Sequence, residues 1–574
     1  MSRHEQAMPL SDPLSRTDVA SELSPSGPYR AVKQLGLVLL CTAWILLGLF
    51  GHDPWKPDDA TAFGTAYDML RHGDWVMPHV ASAPVPERPP LFYALAAASA
   101  EAFRDVLPLH DGARIALGLC FGATLWLLAL TARELYGRAF RWLPVLLFIG
   151  CIGLWDRGHQ LSAEIGALLF DALALYALAL VLRRPLAGGA LLGLAVGAAF
   201  LCRGTFGAAV IALTACVLPF FTPWRSRRYV RAITMAIAIA VPLLVVWPLA
   251  LYLRSYVLFE QWLDAQSLAR FFGLTPNSPP VEPFYYLKNL PWFAWPALPL
   301  ALWTLWIRGR GYNGRLSSAG VELPSTMLCV LLIVLSAAAE PRASLALPML
   351  LPLALLGAAE VDTLKRGYSG ALDWFGILTF GLIGALLWGL WVESLLRGLP
   401  DAVARVFRDS QPGFQPPWQL LPLVASILLT LLWLILVRPA RRSNRRAVLN
   451  WAAGMTLVWG LFSTIWMPYV DSRRSYRPVA ESLALHVPAE GCIAGRNLGE
   501  PQRALLEYFA NIVTVRDDLP QANRCDALLL QVGGNDSAAP PDSAWNKVWE
   551  GRRRGDDTER FVLFRRPRTA GPAS

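Results

Sequence analysis

The chain has 574 residues, of which 55% are hydrophobic and only 16% are charged. A soluble protein of this length would carry about a quarter charged residues, so the composition excludes an ordinary soluble domain and predicts a polytopic membrane protein. The formal net charge of +10 would suit nucleic-acid binding. Many of the basic residues lie in the loops between apolar segments, however, which argues against a nucleic-acid-binding protein.

The first 30 residues are polar, with Ser and Pro throughout. They lack the apolar core and the cleavage site of a signal peptide, and we interpret them as a disordered tail. After this tail, many apolar runs reach the length of about 20 residues that crosses a bilayer core. Thirteen apolar segments are predicted, near residues 34–51, 113–132, 143–155, 163–182, 187–202, 206–222, 231–252, 293–307, 324–340, 344–361, 372–395, 418–438 and 449–469.

Arginine and lysine are concentrated in alternate connections between these segments. If the segments simply alternate in direction, all 19 basic residues of those connections fall on one side. Basic loops remain cytoplasmic. We therefore expect a cytoplasmic N-terminus, and we expect the region from about residue 470 to lie outside.

The segment 89–103 is apolar but too short to cross a bilayer. Counting it as a span would move the arginines that follow the next segment to the outside. We interpret it as a juxtamembrane or re-entrant helix within a long first outer loop, 52–112, which also holds the adjacent carboxylates Asp58 and Asp59. Apolar residues recur at helical spacing after Asp58 and predict a short amphipathic helix on the outer membrane surface. Taken alone, helix capping is a simpler role for Asp58 than catalysis.

Several ionisable residues are predicted near the outer membrane edge. Such groups are costly at this depth and usually face a cavity or a partner. Acids and arginines on one face predict a site that handles an anion and also needs a base. These residues are Arg88, His159, Glu164, Arg203, Arg270, Glu340 and Arg342.

Residues 470–574 alternate helix-like and strand-like segments, which predicts a small α/β domain. The helix-like segments are SYRPVAESLALH and PQRALLEYF, and the strand-like segments are CIAGR, NIVTV, DALLLQ and RFVLF. This domain either covers the membrane site or is a stabilising appendage. Of the eight cysteines, only Cys492 and Cys525 lie in it. An oxidising outer compartment favours a disulfide between them. No Cys/His spacing in the chain is typical of a zinc site.

The stretch DDATAFGTAYDMLRHGDWVMPHVASAPVPERPPLFYAL begins at Asp58. Its acidic pair, its Gly-Asp-Trp, the Pro three residues on and its Arg-Pro-Pro-Leu hold register over more than thirty residues. In this it resembles the first periplasmic loop of the polyprenyl-phosphate-dependent glycosyltransferases of the GT-C fold. These include the bacterial lipid A aminoarabinose transferases and the protein O-mannosyltransferases. Further matches are GAAFLCRG at 197–204 and PFYY at 283–286, and the resemblance covers roughly residues 34–360.

The resemblance implies a GT-C membrane domain over residues 31–469 and an inverting glycosyltransferase. Such an enzyme would move a sugar from a polyprenyl-phosphate donor to a lipid, glycan or protein acceptor on the periplasmic face of the inner membrane. A carboxylate would take the proton of the acceptor hydroxyl, and arginines would stabilise the leaving phosphate. The implied catalytic candidates are Asp58, Asp59 and Glu164, and the implied phosphate-binding candidates are Arg88, Arg203, Arg270 and Arg342. The family fold also allows a divalent cation between Asp58 and Glu164, which the sequence does not demand.

The chain departs from the family pattern at several positions. Asp59 replaces the usual glutamate and Arg88 the usual lysine, and arginine retains the charge and binds phosphate in a bidentate way. Val85 and Ala346 stand where the aminoarabinose enzymes have tyrosines, and residues 277–282 lack their histidine. These changes leave the identity of the sugar and of the acceptor open.

Two other classes of protein stay open at this point. A carrier for a lipid-linked or anionic solute would explain the many spans, but it predicts acids near the bilayer midplane and two repeated halves. We find no convincing half-repeat. A non-catalytic relative would explain the missing Tyr and His, whereas the retained Asp58 and Arg88 argue against it.

Overall fold

The computed structural model describes residues 27–566, apart from residues 156, 276–278, 312–315, 399–414, 439–442, 489–490, 535, 537–539, 541, 555 and 557. The tail expected over 1–30 lies outside the described residues as far as residue 26. The first helix begins at Gly27.

The described chain before residue 465 is almost entirely helical, and each of the thirteen predicted apolar segments contains a helix. The helices are α1 Gly27–Leu46, α2 Asp58–His72, α3 Leu91–Ala102, α4 Leu109–Tyr136, α5 Leu143–Ile149, α6 Ala163–Val181, α7 Pro185–Arg203, α8 Thr205–Val217, α9 Arg227–Arg254, α10 Tyr256–Ala265, α11 Leu268–Phe271, α12 Tyr285–Phe293, α13 Ala297–Gly309, α14 Ala319–Ser336, α15 Leu350–Ala359, α16 Arg366–Arg397, α17 Leu420–Leu436 and α18 Asn444–Thr464. A two-stranded hairpin, β1 His79–Val80 and β2 Ala83–Pro84, lies between α2 and α3.

Seven of the described helices are long and apolar enough to cross a membrane, namely α4, α6, α7, α9, α14, α16 and α18. Two pairs of helices joined by bends of 63° and 99° would raise the number to nine. The other apolar helices are shorter, so the number of thirteen spans stays a prediction. Helix α3 has only 12 residues, too few for a span, which agrees with its interpretation as a juxtamembrane helix.

Helices α7 and α9 pack against each other at backbone contact distance. A Cβ atom at Gly189 would lie 2.3 Å from the carbonyl oxygen of Ala232, and one at Gly193 would lie 2.4 Å from that of Ala236. Small residues spaced four apart allow such close contact between membrane helices. This packing positions α7, whose last residue is Arg203.

The C-terminal region contains helices and one mixed sheet. The helices are α19 Met467–Arg474, α20 Arg477–Ala484 and α21 Glu500–Ala510, and the strands are β3 Ile493–Arg496, β4 Thr514–Arg516, β5 Ala527–Gly533, β6 Asn546–Gly551 and β7 Glu559–Arg565. The sheet order is β4-β3-β5-β7-β6, with β3 parallel to β4 and β5 and with β7 antiparallel to its neighbours. The sequence predicted all of these strands except β6.

Cys492 and Cys525 form a disulfide, with their Cα atoms 4.9 Å apart. The register of the sheet explains why they meet. Ile493 in β3 is paired with Ala527 in the parallel strand β5, and each cysteine lies just before one of these residues.

The C-terminal domain packs on one side of α2. A Cβ atom at Gly64 would lie 2.4 Å from the Cβ of Ala504 in α21, and Arg71 forms a 2.9 Å ion pair with the buried Glu507. The amphipathic helix that the sequence predicts over this stretch is therefore present, and α21 covers the side that carries Gly64. Arg71 stays exposed, whereas Asp68 is buried.

Candidate functional site

A cavity of about 1060 Å³ lies where the loop 52–112, the ends of several membrane helices and the C-terminal domain meet. Six of the seven residues that the sequence predicts for catalysis or phosphate binding line it, and Asp59 does not. The acidic and basic residues that line the cavity are Asp58, Glu87, Arg88, Glu164, Arg203, Asp264, Arg270, Glu340, Arg342 and Glu500.

Asp58 is the first residue of α2 and is exposed to the cavity. It does not cap the helix, because no side-chain capping hydrogen bond is formed there. The amide groups of Ala60 and Thr61 instead donate to the carbonyl oxygens of Trp55 and Pro57, at 2.9 and 3.2 Å. Within the described chain, the Asp58 carboxylate has no ion-pair partner, which leaves it able to accept a proton from a bound molecule.

Asp59 faces the opposite way and is 1% exposed. Its Oδ2 accepts hydrogen bonds from Nη2 of Arg114 at 2.7 Å and from the amide of Trp55 at 3.1 Å. Its Oδ1 accepts from the amide of Leu161 at 3.1 Å. Asp59 thus joins the start of α2 to α4 and to the segment that leads to Glu164.

The charges around Asp59 keep it ionised. Burial favours the neutral acid, but the charge of Arg114 and the hydrogen bonds to the carboxylate outweigh this effect and lower the pKa of Asp59. His52 is neutral in the fold, because burial, assisted by Arg114, lowers its pKa to about 3. A buried, fully bonded carboxylate is a poor general base, so the geometry assigns Asp59 to holding the site together.

The residues between α2 and Arg88 form turns and the hairpin of β1 and β2. Gly73, with φ of +70°, ends α2 in the left-handed region that favours glycine. The Asp74 carboxylate accepts from the amides of Val76 and Met77 and pairs with Arg254 in α9 at 2.7 Å. The Gly-Asp-Trp motif is therefore structural, since it anchors the loop that carries Arg88.

Arg88 follows this loop, lines the cavity and contacts the C-terminal domain. Its Nη2 lies 2.5 Å from Oε2 of Glu500. Its Nη1 is buried and has no hydrogen-bond partner among the described residues. The guanidinium thus keeps an unused donor.

Arg203 lies between two acids at the end of α7. Its Nη2 is 2.5 Å from Oε2 of Glu164, an ion pair by distance whose angle is too poor for a hydrogen bond. Its Nη1 is 3.6 Å from the 1% exposed Asp171. Gly204, with φ of +73°, ends the helix immediately after Arg203.

The remaining two arginines lie on other elements. Arg342 follows α14 and forms a 2.6 Å ion pair with the exposed Glu340. The hydroxyl of Tyr286, from the PFYY motif, contacts both the backbone N–H and the carbonyl of Arg342, at 3.1 and 3.2 Å. Arg270, in α11, has no ion pair with any described residue.

The described residues hold no group of three or more His, Cys, Asp or Glu arranged to bind a metal ion. Two residues of the site region were not singled out from the sequence. Arg114 could have been recognised from its position in the sequence, since a charged residue at the start of an apolar segment usually has a buried partner. No local sequence pattern indicates Glu500, because it lies 412 residues from Arg88 in the chain.

Comparison with known proteins finds arabinosyl transferases among the relatives of the chain. No family model matches the chain. It is 29% identical over 382 residues to undecaprenyl phosphate-alpha-4-amino-4-deoxy-L-arabinose arabinosyl transferase 2 of Pseudomonas fluorescens (strain Pf0-1), covering 64% of this chain and 66% of that protein. It is 30% identical over 365 residues to the corresponding transferase of Pseudomonas aeruginosa (strain UCBPP-PA14), covering 60% and 63%. The chain thus matches just under two thirds of these relatives' length.

The solved structures show the fold. The crystal structure of ArnT from Cupriavidus metallidurans bound to undecaprenyl phosphate superimposes with a TM-score of 0.67 and 16% sequence identity, over 96% of this chain and 100% of that one. Its apo structure gives the same TM-score over 93% and 98%. The chain is a polytopic helical membrane protein with the GT-C fold and a small C-terminal α/β region.

Proposed function

We propose that the protein is an inverting glycosyltransferase that moves a sugar from a polyprenyl-phosphate donor to a lipid, glycan or protein acceptor. The observation that carries this proposal is that one cavity brings the carboxylate of Asp58 together with Arg88, Arg203, Arg270 and Arg342. Among the described residues, this carboxylate has no ion-pair partner. The named relatives support the donor class, since they are arabinosyl transferases of undecaprenyl phosphate-linked aminoarabinose.

Asp58 is the general base in this proposal. It takes the proton of the acceptor hydroxyl while the hydroxyl oxygen attacks the anomeric carbon and the bond to the donor phosphate breaks. Direct attack without a protein nucleophile inverts the anomeric configuration. Glu164 is a weaker candidate, because its carboxylate already pairs with Arg203, 2.5 Å away.

The arginines bind and stabilise the leaving phosphate. Arg88 and Arg270 are the first candidates, since Arg88 keeps an unused Nη1 donor and Arg270 has no acidic partner within the described residues. Arg203 is already neutralised by Glu164 and Asp171, so it contributes less. A divalent cation is not needed for this scheme.

The proposal is tested by a transfer assay with the purified chain in detergent and a labelled undecaprenyl-phosphate sugar. We expect the label to move to an added acceptor and undecaprenyl phosphate to accumulate. Arg88→Ala should reduce donor use by about tenfold or more, the effect of losing a charged hydrogen bond, whereas Arg88→Lys should retain much of it. Uptake of the intact donor into sealed vesicles without sugar transfer would instead identify a carrier.

We place the site on the periplasmic face of the inner membrane, with the N-terminus in the cytoplasm. The support is the arginine asymmetry of the loops. Alkaline phosphatase fused after Arg566 should be active, and the same reporter fused after Arg438 should be inactive. The opposite pattern would place the cavity in the cytoplasm and exclude the proposed donor orientation.

A further inference from the structure

The C-terminal domain contributes a carboxylate to the cavity. Glu500 and Pro501, at the start of α21, line it together with Asp58 and Arg88. The side chain of Glu500 is 41% exposed and that of Arg88 is 23% exposed. A glutamate that can be reached from the cavity therefore holds one side of a guanidinium whose other terminal nitrogen has no hydrogen-bond partner among the described residues.

We infer that, before the donor binds, the Glu500 carboxylate occupies the position on Arg88 that the lipid phosphate takes. The phosphate displaces Glu500 from Arg88 on binding. This inference rests on the proposed function. Carboxylates and phosphates bind a guanidinium through the same pair of N–H donors, so the two anions compete for Arg88. Each binding event then exchanges one anion for another.

The exchange has a physical advantage for turnover. An Arg88 without any partner would be a largely buried, unpaired charge in the empty site, which is strongly unfavourable. Glu500 supplies the missing charge and also repels the phosphate that replaces it. The repulsion increases when transfer converts the phosphodiester of the donor into the more highly charged monoester, so Glu500 favours product release.

The exchange requires only the Glu500 side chain to move. Helix α21 is held to the membrane domain by other contacts, which include the close packing of Ala504 on Gly64 and the pair between Arg71 and Glu507. Arg503 also donates to the carbonyl oxygen of Ala81 at 3.0 Å. These contacts keep the domain in place while the carboxylate leaves Arg88.

The test is the affinity of the purified full chain for undecaprenyl phosphate, with undecaprenol as the phosphate-free control. We expect Glu500→Gln to bind undecaprenyl phosphate about threefold to tenfold more tightly than the unmodified chain. In an Arg88→Gln background the same change should alter affinity by less than about twofold, since the competed group is gone. The matched control is Glu481→Gln, which removes one charge from an exposed residue of α20 outside the cavity lining and should leave affinity unchanged.

Each other outcome overturns the inference. Unchanged affinity in Glu500→Gln means that the anions do not compete, and weaker affinity means that Glu500 instead orients Arg88 for the phosphate. If Glu500→Gln folds poorly, Glu500→Asp replaces it, because the shorter side chain withdraws from Arg88 and should also tighten binding. If the unmodified chain binds undecaprenyl phosphate no better than undecaprenol, the proposed function fails and the inference fails with it.

Discussion

Asp58→Asn is expected to lower the turnover of sugar transfer by about 10²- to 10⁴-fold, the range that general-base catalysis contributes. Asparagine has nearly the same size as aspartate but cannot take a proton at neutral pH. The structure sharpens this test, because Asp58 forms no capping hydrogen bond to α2 and has no ion pair within the described chain. The change therefore removes the base and little else.

The measurements for Asp58→Asn are single-turnover transfer, undecaprenyl phosphate affinity and thermal unfolding. Affinity and unfolding should stay close to those of the unmodified chain, while the transfer rate falls. Glu164→Gln is the comparison, since it removes a carboxylate from the same cavity. If Asp58→Asn transfers sugar at nearly the original rate and Glu164→Gln does not, Glu164 is the base.

Local patterns in the sequence were sufficient to predict where the helices lie and which charges collect at one end of them. An apolar run of bilayer length forms a helix because a helix satisfies all of its backbone hydrogen bonds within the same segment. Glu164, Arg203 and Arg342 lie at or near the ends of those helices, so a cavity between the ends brings these residues to one place.

The difference between Asp58 and Asp59 was not predictable from local sequence. Neighbouring residues of a helix point about 100° apart, so only one of the pair faces the cavity, and the choice depends on what the other contacts. That contact is Arg114, which lies 55 residues further along the chain. Glu500 could not be predicted for the same reason, since its ion pair with Arg88 joins two domains.

Strand β6 was missed because its sequence, NKVWEG, mixes charged with apolar residues. It lies at the edge of the sheet, where it pairs only with β7. An edge strand needs few apolar residues, and charged residues there discourage pairing with other chains. Its composition therefore resembles that of a loop.

Asp59→Asn is expected to destabilise the protein by about 3 kcal/mol, at the lower end of the cost of breaking a buried ion pair. Both carboxylate oxygens of Asp59 accept hydrogen bonds, Oδ1 from Leu161 and Oδ2 from Trp55 and Arg114. An asparagine amide can satisfy only one side and presents N–H groups to the donors on the other. Arg114 keeps its 3.0 Å bond to Asp111, which holds the cost near the lower end.

Thermal unfolding in detergent, measured beside Asp58→Asn, separates the two adjacent acids. We expect the unfolding midpoint to fall clearly for Asp59→Asn and to stay within a degree or two for Asp58→Asn, about the change expected of an exposed site without a structural partner. Mildly acidic pH should not cause the loss of stability that Asp59→Asn causes. Because the pKa of Asp59 is lowered in the fold, its stabilising effect is present above the ordinary carboxyl pKa of about 3.9 and is lost only as the pH falls through the lower folded value. An Asp59→Asn protein that unfolds like the unmodified chain but transfers no sugar would show that Asp59 itself takes part in the reaction.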